Sequence, residues 1–156
     1  LQMSETATTT SVRMMIPDTI RHCIVPVDDE DESTMTPGKI LTTAYSRILS
    51  KTKEYCLLVL SRNFGLSVAN VVGAIQHFGG TASLDDFPIL VTTEDAIRGM
   101  DYQVDLVVVL GRPLSINEYA HIAGRTGRAG KRGTVVSVGN LTQWENMLGI
   151  QFEPCT

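Results

Sequence analysis

The sequence has few of the residues that mark secreted, membrane-spanning or metal-binding proteins. Its three cysteines, Cys23, Cys56 and Cys155, show no close metal-ligand spacing and leave one thiol over in any disulfide scheme. No apolar run approaches the roughly 20 residues of a membrane span, and no basic stretch leads into an apolar one at the start, as in a secretory signal. We therefore expect a reducing, intracellular setting, with nucleus, cytoplasm and organelle all open, and neither a membrane partner nor a bound metal.

The chain also lacks the parts with which a protein grips nucleic acid generally or cleaves ATP by itself. Aromatic residues make up only 6% of the sequence, so stacking on RNA bases is not indicated. A net charge of −4 argues against non-specific nucleic-acid binding, which depends on cations that contact phosphates. The sequence has no GxxxxGK[ST] loop, and the acidic run at 28–32 is typical of a solvated loop. This chain alone is not expected to hydrolyse ATP.

What the sequence does contain is an alternation of β-rich segments and helical patterns. Its 156 residues suit one domain, and 43% hydrophobic residues suffice for a packed core. The alternation predicts an α/β fold with a mostly parallel central sheet covered by helices on both faces. Residues 1–19 are predicted to be a linker or tail, and residues 20–156 the domain. The predicted strands are 20–27, 57–61, 88–92, 105–110 and 133–138.

Four helices are predicted from their start signals and periodicity. Thr36 and Pro37 supply an N-cap and a first helical residue, and apolar residues at 68–75 mark one face of the next helix. Capping boxes precede the last two helices, of which the first carries His121 and the second Trp144. The boxes are formed by Ser115 with Glu118 and by Thr142 with Glu145.

The segment 121–130 has the composition of an anion-binding loop. Arg125 and Arg128 are three residues apart, so on a helix end or tight turn both guanidinium groups can converge on one anion. Each presents a fork of donors that matches phosphate oxygens, and glycines at 124, 127 and 130 permit close approach. Taken alone, these residues fit a solvated basic turn equally well. An arginine finger that reaches a nucleotide held elsewhere contributes roughly 10³ to 10⁵ in rate.

Two segments together resemble motifs V and VI of the DEAD-box RNA helicases. They are TTEDAIRGMD at 92–101 and YAHIAGRTGRAG at 119–130, separated by a strand and a GRPLS turn. LLVLSR at 57–62 is similar to the motif IV strand, and WENMLGIQFEP at 144–154 resembles the closing helix. The resemblance covers most of the chain after about Pro17. It implies that residues 20–156 form the C-terminal, RecA-like three-layer domain of such a helicase.

The resemblance also implies roles for individual residues. RNA binding would fall to Ser61, Arg62, Thr93 and Arg98, and ATP binding to Gly99, Asp101, Arg125 and Arg128. Arg125 and Arg128 would be the catalytic arginine fingers, and His121 would contact the other domain. ATP and Mg²⁺ would be held mainly by an N-terminal RecA-like domain, which would be a partner together with RNA and ribonucleoprotein proteins. Because the chain begins at Leu1, we expect it to be part of a longer protein.

Several departures from the family pattern leave a second hypothesis open. Glu94 stands where the family has aspartate, and Ile122 where it has the first arginine of motif VI. Residues 81–88 are too few for the strand and the RNA-gripping QxxR helix found there in the family. The alternative is a non-catalytic RecA-like scaffold module in ribonucleoprotein assembly. Arg98 could simply pair with Glu94 or Asp95 across one helical turn.

The predicted topology also gives a location for the site. Ligands of parallel α/β sheets gather beyond the carboxyl ends of the strands. Ser61 and Arg62 follow one predicted strand, Thr93 follows another, and the loop after Leu110 leads towards His121 and the arginines. The sequence therefore predicts that all candidate site residues share this one edge.

Overall fold

The computed structural model describes residues 16–27, 36–139 and 149–155, and these form a seven-stranded, fully parallel sheet. The strand order β3-β4-β2-β5-β6-β1-β7 is that of an open α/β sheet, so the predicted fold class is confirmed. The strands are β1 (Ile20–Val25), β2 (Cys56–Leu60), β3 (Ala82–Ser83), β4 (Ile89–Thr93), β5 (Leu106–Leu110), β6 (Gly133–Val138) and β7 (Glu153–Pro154). The helices are α1 (Pro37–Arg47), α2 (Val68–His77), α3 (Glu94–Ile97) and α4 (Ile116–Ala123), with a 3₁₀ turn at Leu49–Lys51.

The helix start signals are confirmed where the structure describes them. Thr36 Oγ1 accepts a hydrogen bond from the Lys39 N–H at 3.2 Å, and Pro37 opens α1. Ser115 Oγ accepts from the Glu118 N–H at 3.2 Å and starts α4. The predicted helix around residue 144 and its capping box lie outside the described residues.

The helices cover the sheet on both faces, which produces two apolar cores. α1 and α2 pack on one face, where Ile40 and Val71 belong to the same core as Leu58 of β2. α3 and α4 pack on the other, where Ile97 and Ile122 belong to the same core as alternate residues of the central strands. Every residue of β2 and β5 is buried, because successive strand residues face opposite cores. This explains why both strands are continuous apolar runs in the sequence.

Two features at the sheet edges bear on the sequence predictions. The chain forms the two-residue β3 and then reaches β4 through 84–88 without a helix, as the length of this connection predicted. The segment 144–154, whose sequence resembles the closing helix of the family, differs from that resemblance in its described part. Its end forms the strand β7, which pairs with β1. Pro154 is tolerated there because β7 is an edge strand. Ile16 and Thr19, from the predicted tail, also pack onto the domain.

Candidate functional site

The carboxyl ends of β2 and β4 bring one group of candidate residues together. Leu60 and Thr93 are paired in register, so Arg62 lies beside the start of α3. The Arg62 Nε and Nη2 atoms donate to Asp95 Oδ1 at 3.1 and 2.6 Å. Thr93 Oγ1 accepts from the Ala96 N–H at 3.2 Å and thereby caps α3. A strand-end arginine and a helix-capping threonine therefore share one surface.

Glu118 of α4 connects this group to Arg98. Arg98 Nη2 donates to Glu118 Oε1 at 2.7 Å, and Arg62 Nη2 lies 3.6 Å from the same oxygen. The arginine side chains are 42% and 44% exposed, whereas Glu118 is only 12% exposed. The partner of Arg98 comes from the neighbouring helix, and not from the alternative pairing with Glu94 or Asp95 in its own helical turn. One shielded carboxylate thus holds two solvent-facing guanidinium groups in place.

Glu94 lies beneath these charges and is almost fully buried. Its Oε1 accepts a hydrogen bond from the Arg62 backbone N–H at 3.3 Å, while Oε2 has no partner among the described residues. Burial raises the pKa of this carboxyl, and the Arg62 N–H opposes that shift. Glu94 therefore fixes the main chain after β2 against the start of α3.

Ser61 is also buried, at 5% exposure, which its predicted RNA contact did not anticipate. Its hydroxyl faces Gly111, where an added Cβ would come within 2.4 Å of Ser61 Oγ. Both residues line a cavity of about 450 Å³ at the carboxyl edge, together with Asn63 and Arg112. The small exposed part of Ser61 therefore belongs to the wall of this cavity.

The two candidate finger arginines lie at the opposite, amino edge of the sheet. α4 begins at the carboxyl edge, and eight residues at 1.5 Å each carry the chain back by about 12 Å. Arg125 O accepts from the Val104 N–H at 3.0 Å, just before β5, and Thr19 Oγ1 donates to Gly127 O at 2.7 Å, just before β1. The prediction that all candidates share one edge is wrong, because the length of α4 separates Arg125 and Arg128 from the first group.

Arg125 is held against the loop that contains Gly99 and Asp101. Its Nη1 atom donates to Met100 O at 2.6 Å, and its buried Nε finds no hydrogen-bond partner among the described residues. Burial lowers the pKa of Arg125, the charge of Arg128 lowers it further, and Asp101 opposes both. Arg125 and Arg128 are two adjacent cations with one unused donor, so the arrangement suits an anion. A bound anion would relieve their repulsion and accept a hydrogen bond from the Arg125 Nε–H.

The loop that carries Arg128 is tightly constrained. Gly127, Ala129 and Gly130 have φ angles of +72°, +58° and +76°, all in the left-handed region. A Cβ on Gly127 would approach Ile20 Cγ1 to 2.5 Å, so this position requires glycine for space as well as for conformation. Arg128 itself is exposed, as are Gly99, Asp101 and His121.

Sequence reasoning did not identify three of the groups that organise the site. Asp95 and Glu118 hold the exposed arginines, and the Met100 carbonyl holds Arg125. Glu118 was recognised only as the second half of a capping box. The sequence did offer one signal, because Glu118 is an acidic residue close to segments rich in arginine. Its pairing with Arg98, however, depends on how α3 and α4 pack. Among the residues that the structure describes, no group of three or more His, Cys, Asp or Glu side chains could hold a metal, and no helix could cross a membrane.

Comparison with known proteins yields one family and several relatives. Residues 22–130 match the family described as "Helicase conserved C-terminal domain". The chain is 32% identical over 118 residues to ATP-dependent RNA helicase DRS1 of Lodderomyces elongisporus, a match that covers 71% of this chain and 17% of that protein. It is 42% identical over 84 residues to ATP-dependent RNA helicase DBP3 of Gibberella zeae, which covers 50% of this chain and 14% of that protein. The chain thus spans less than a fifth of either relative.

The fold has relatives among solved structures. A DEAD box protein from Methanococcus jannaschii superimposes with a TM-score of 0.66 at 20% identity. The match covers 88% of this chain and 42% of that one. The parallel sheet, with helices on both faces, is therefore shared with one part of a larger protein.

Proposed function

Since this chain belongs to the DEAD-box RNA helicases as their C-terminal RecA-like domain, we propose that it supplies half of the cleft in an ATP-dependent RNA helicase. In this proposal Arg125 and Arg128 contact ATP phosphates that a first RecA-like domain presents, and Asp101 contacts the ribose. The observation that carries the proposal is the unpaired, buried Nε of Arg125 beside Arg128. The curated relatives are named as ATP-dependent RNA helicases, which supports ATP as the nucleotide.

The residues at the amino edge fit a polyphosphate with a ribose attached. Arg125 and Arg128 offer forked cations for phosphate oxygens, and Asp101 offers an acceptor for hydroxyl groups. Gly99 lies in the same exposed loop and adds no side chain that would obstruct a nucleotide. Bound ATP with Mg²⁺ supplies the phosphoryl group that is transferred to water. The two arginines bind and orient that group and offset its growing negative charge.

The carboxyl-edge group fits the phosphate backbone of an RNA strand. Arg62 and Arg98 are exposed, and their present partners are carboxylates that a phosphodiester can displace. Both members of the Arg62–Asp95 pair are exposed, so this pair contributes only about 0 to 1 kcal/mol and its exchange for a phosphate costs little. Thr93 adds a hydroxyl on the same surface, and Ser61 lies in the adjoining cavity.

The position of α4 suggests how the two sites communicate. Glu118 in its first turn holds the RNA-facing arginines, and Arg125 lies two residues beyond its end. A shift of α4 on RNA binding would therefore move Arg125 relative to the nucleotide. His121 lies on the exposed face between these points, where we place the contact with the N-terminal RecA-like domain.

The test compares two arginines of the same loop in the native gene product that contains both RecA-like domains. We expect Arg128→Ala to lower RNA-stimulated ATP hydrolysis by about 10³-fold or more while RNA binding is retained. Arg132→Ala, an exposed arginine assigned no role in the cleft, should stay close to the parent. Retained ATPase activity in the Arg128 variant would overturn the finger assignment. A parent protein that binds its ribonucleoprotein partners but hydrolyses no ATP would favour the scaffold alternative.

A further inference from the structure

A cavity of about 600 Å³ lies at the amino edge of the sheet, on the face covered by α1. It is separate from the proposed nucleotide site, which lies on the face covered by α4. Cations dominate its wall, although the whole chain carries a net charge of −4. Two thiols, Cys23 and Cys155, also line this cavity. The lining cations are Arg21, Arg47, Lys51, Lys53 and Arg132.

The pairing of β7 with β1 brings the two thiols together. Cys155 directly follows β7, and its N–H donates to Ile24 O at 3.2 Å, one residue from Cys23. Cys155 packs against the core cluster that contains Cys23, and both thiols line the same cavity. Both backbones are held by strand pairing, so the proximity of the sulfurs is a property of the fold.

The surroundings of Cys23 favour its thiolate. The hydrogen bond with Cys155 and the charge of Arg21 lower the pKa of Cys23 to about 7, although burial opposes them. Cys155, as the other member of the pair, has a raised pKa and stays protonated. Cys56 provides a contrast within the chain, because burial in the core raises its pKa to about 12. Cys23 is itself only 1% exposed, but unlike Cys56 it lines the cavity, so a small oxidant can reach its thiolate, the reactive form, through that cavity.

We propose that Cys23 and Cys155 form an oxidisable dithiol, in which Cys23 reacts first with a peroxide and Cys155 resolves the product. The Cys23 thiolate attacks one peroxide oxygen, the O–O bond breaks, and hydroxide leaves, so that Cys23 becomes a sulfenic acid. The Cys155 thiol then loses its proton and attacks the Cys23 sulfur, whose S–O bond breaks to release water. The two sulfurs lose two electrons, and the peroxide is reduced to two waters. The resulting disulfide ties the edge strand β7 covalently to β1.

The experiment uses the purified, folded 156-residue chain and hydrogen peroxide as the probe. After oxidation the protein is unfolded, its free thiols are alkylated with N-ethylmaleimide, and intact mass and peptide maps are recorded. We expect loss of both labels at Cys23 and Cys155, a Cys23–Cys155 linked peptide, a label retained at Cys56, and full reversal by dithiothreitol. The reaction of Cys23 should be at least about tenfold faster than that of Cys56.

Two matched variants make the result decisive. Cys155→Ser should stop the reaction at a sulfenic acid on Cys23, which dimedone traps as a single adduct. Cys56→Ser should form the disulfide at the parent rate. Labels retained at all three cysteines, a disulfide that includes Cys56, or equal rates in folded and urea-unfolded protein would each overturn the proposal.

Discussion

His22 is expected to make the stability of this domain depend on pH. It lies on β1, partly buried, where its Nδ1 atom hydrogen bonds with the Tyr119 hydroxyl and its ring contacts Phe152 at a centroid distance of 6.1 Å. Burial lowers the pKa of His22 to about 4 from 6.5, and the charge of Glu153 opposes this only in part. The folded protein therefore keeps this imidazole neutral at a pH where the unfolded chain would protonate it.

The sign and size of the effect follow from proton linkage. Between pH 6.5 and about 4 the unfolded state binds a proton at His22 that the folded state does not, so stability falls as the pH is lowered. Each pKa unit corresponds to about 1.36 kcal/mol, which gives a total loss of about 3 kcal/mol below pH 4. Above pH 6.5 both states are neutral at this position, and the term vanishes.

The assay is urea unfolding of the parent and of His22→Gln from about pH 7.5 to 4.5. Carboxylates also titrate in this range, so the informative quantity is the difference in slope between the two proteins. We expect the parent to lose about 2 to 3 kcal/mol more than the variant by pH 4.5. His77→Gln and His121→Gln serve as controls, because both side chains are exposed and these variants should follow the parent.

Two results would refute this reasoning. One is an identical pH dependence for the parent and His22→Gln, which would mean that protonation at this position does not distinguish the folded from the unfolded state. The other is an NMR titration of the folded protein in which the His22 ring protonates near pH 6.5. A lower overall stability of the variant would not matter, because only its dependence on pH is compared.

Further predictions concern a glycine and a buried carboxylate. Gly133→Ala should lower the free energy of unfolding by about 1 to 3 kcal/mol in urea titrations, since its Cβ would lie 2.1 Å from Thr126 Oγ1 and 2.6 Å from the Gly127 backbone nitrogen. Gly73→Ala, in an open helical position, should instead be neutral or stabilising. Glu94→Gln should raise Tm more at pH 7.5 than at pH 4, because burial holds the pKa of Glu94 above 4.5 and its ionisation at higher pH costs stability. A gain independent of pH would contradict this explanation.

Local chemistry in the sequence was sufficient to predict most of the elements. Thr36 with Pro37 and Ser115 with Glu118 are start signals that act through neighbouring backbone groups, and α1 and α4 begin where these signals predict. The apolar runs of β2 and β5 are continuous because both faces are buried, which is the pattern of a central parallel strand. The short 84–88 connection likewise determined that no helix lies between β3 and β4.

The arrangement of the site was only partly accessible from the sequence. The arginines at 62, 98, 125 and 128 were identified, and their roles in RNA and ATP binding remain predictions. The prediction that all four lie on one edge of the sheet was wrong. It assigned Arg125 and Arg128 to the edge where the loop after β5 begins, although α4 lies between that loop and the two arginines. A helix of eight residues is long enough to carry Arg125 to the far side of the domain.

The sequence by itself determined most of the longer strands and helices, since caps, periodicity and chain length act over a few residues, but it did not predict the short elements β3, α3 and β7. Only the tertiary structure decided which distant side chains meet. Arg98 pairs with Glu118 twenty positions away, and Cys23 meets Cys155 because β7 adds to β1. Such contacts depend on strand order and helix packing. These are set by the sum of many small interaction energies along the whole chain, so no local sequence pattern encodes them.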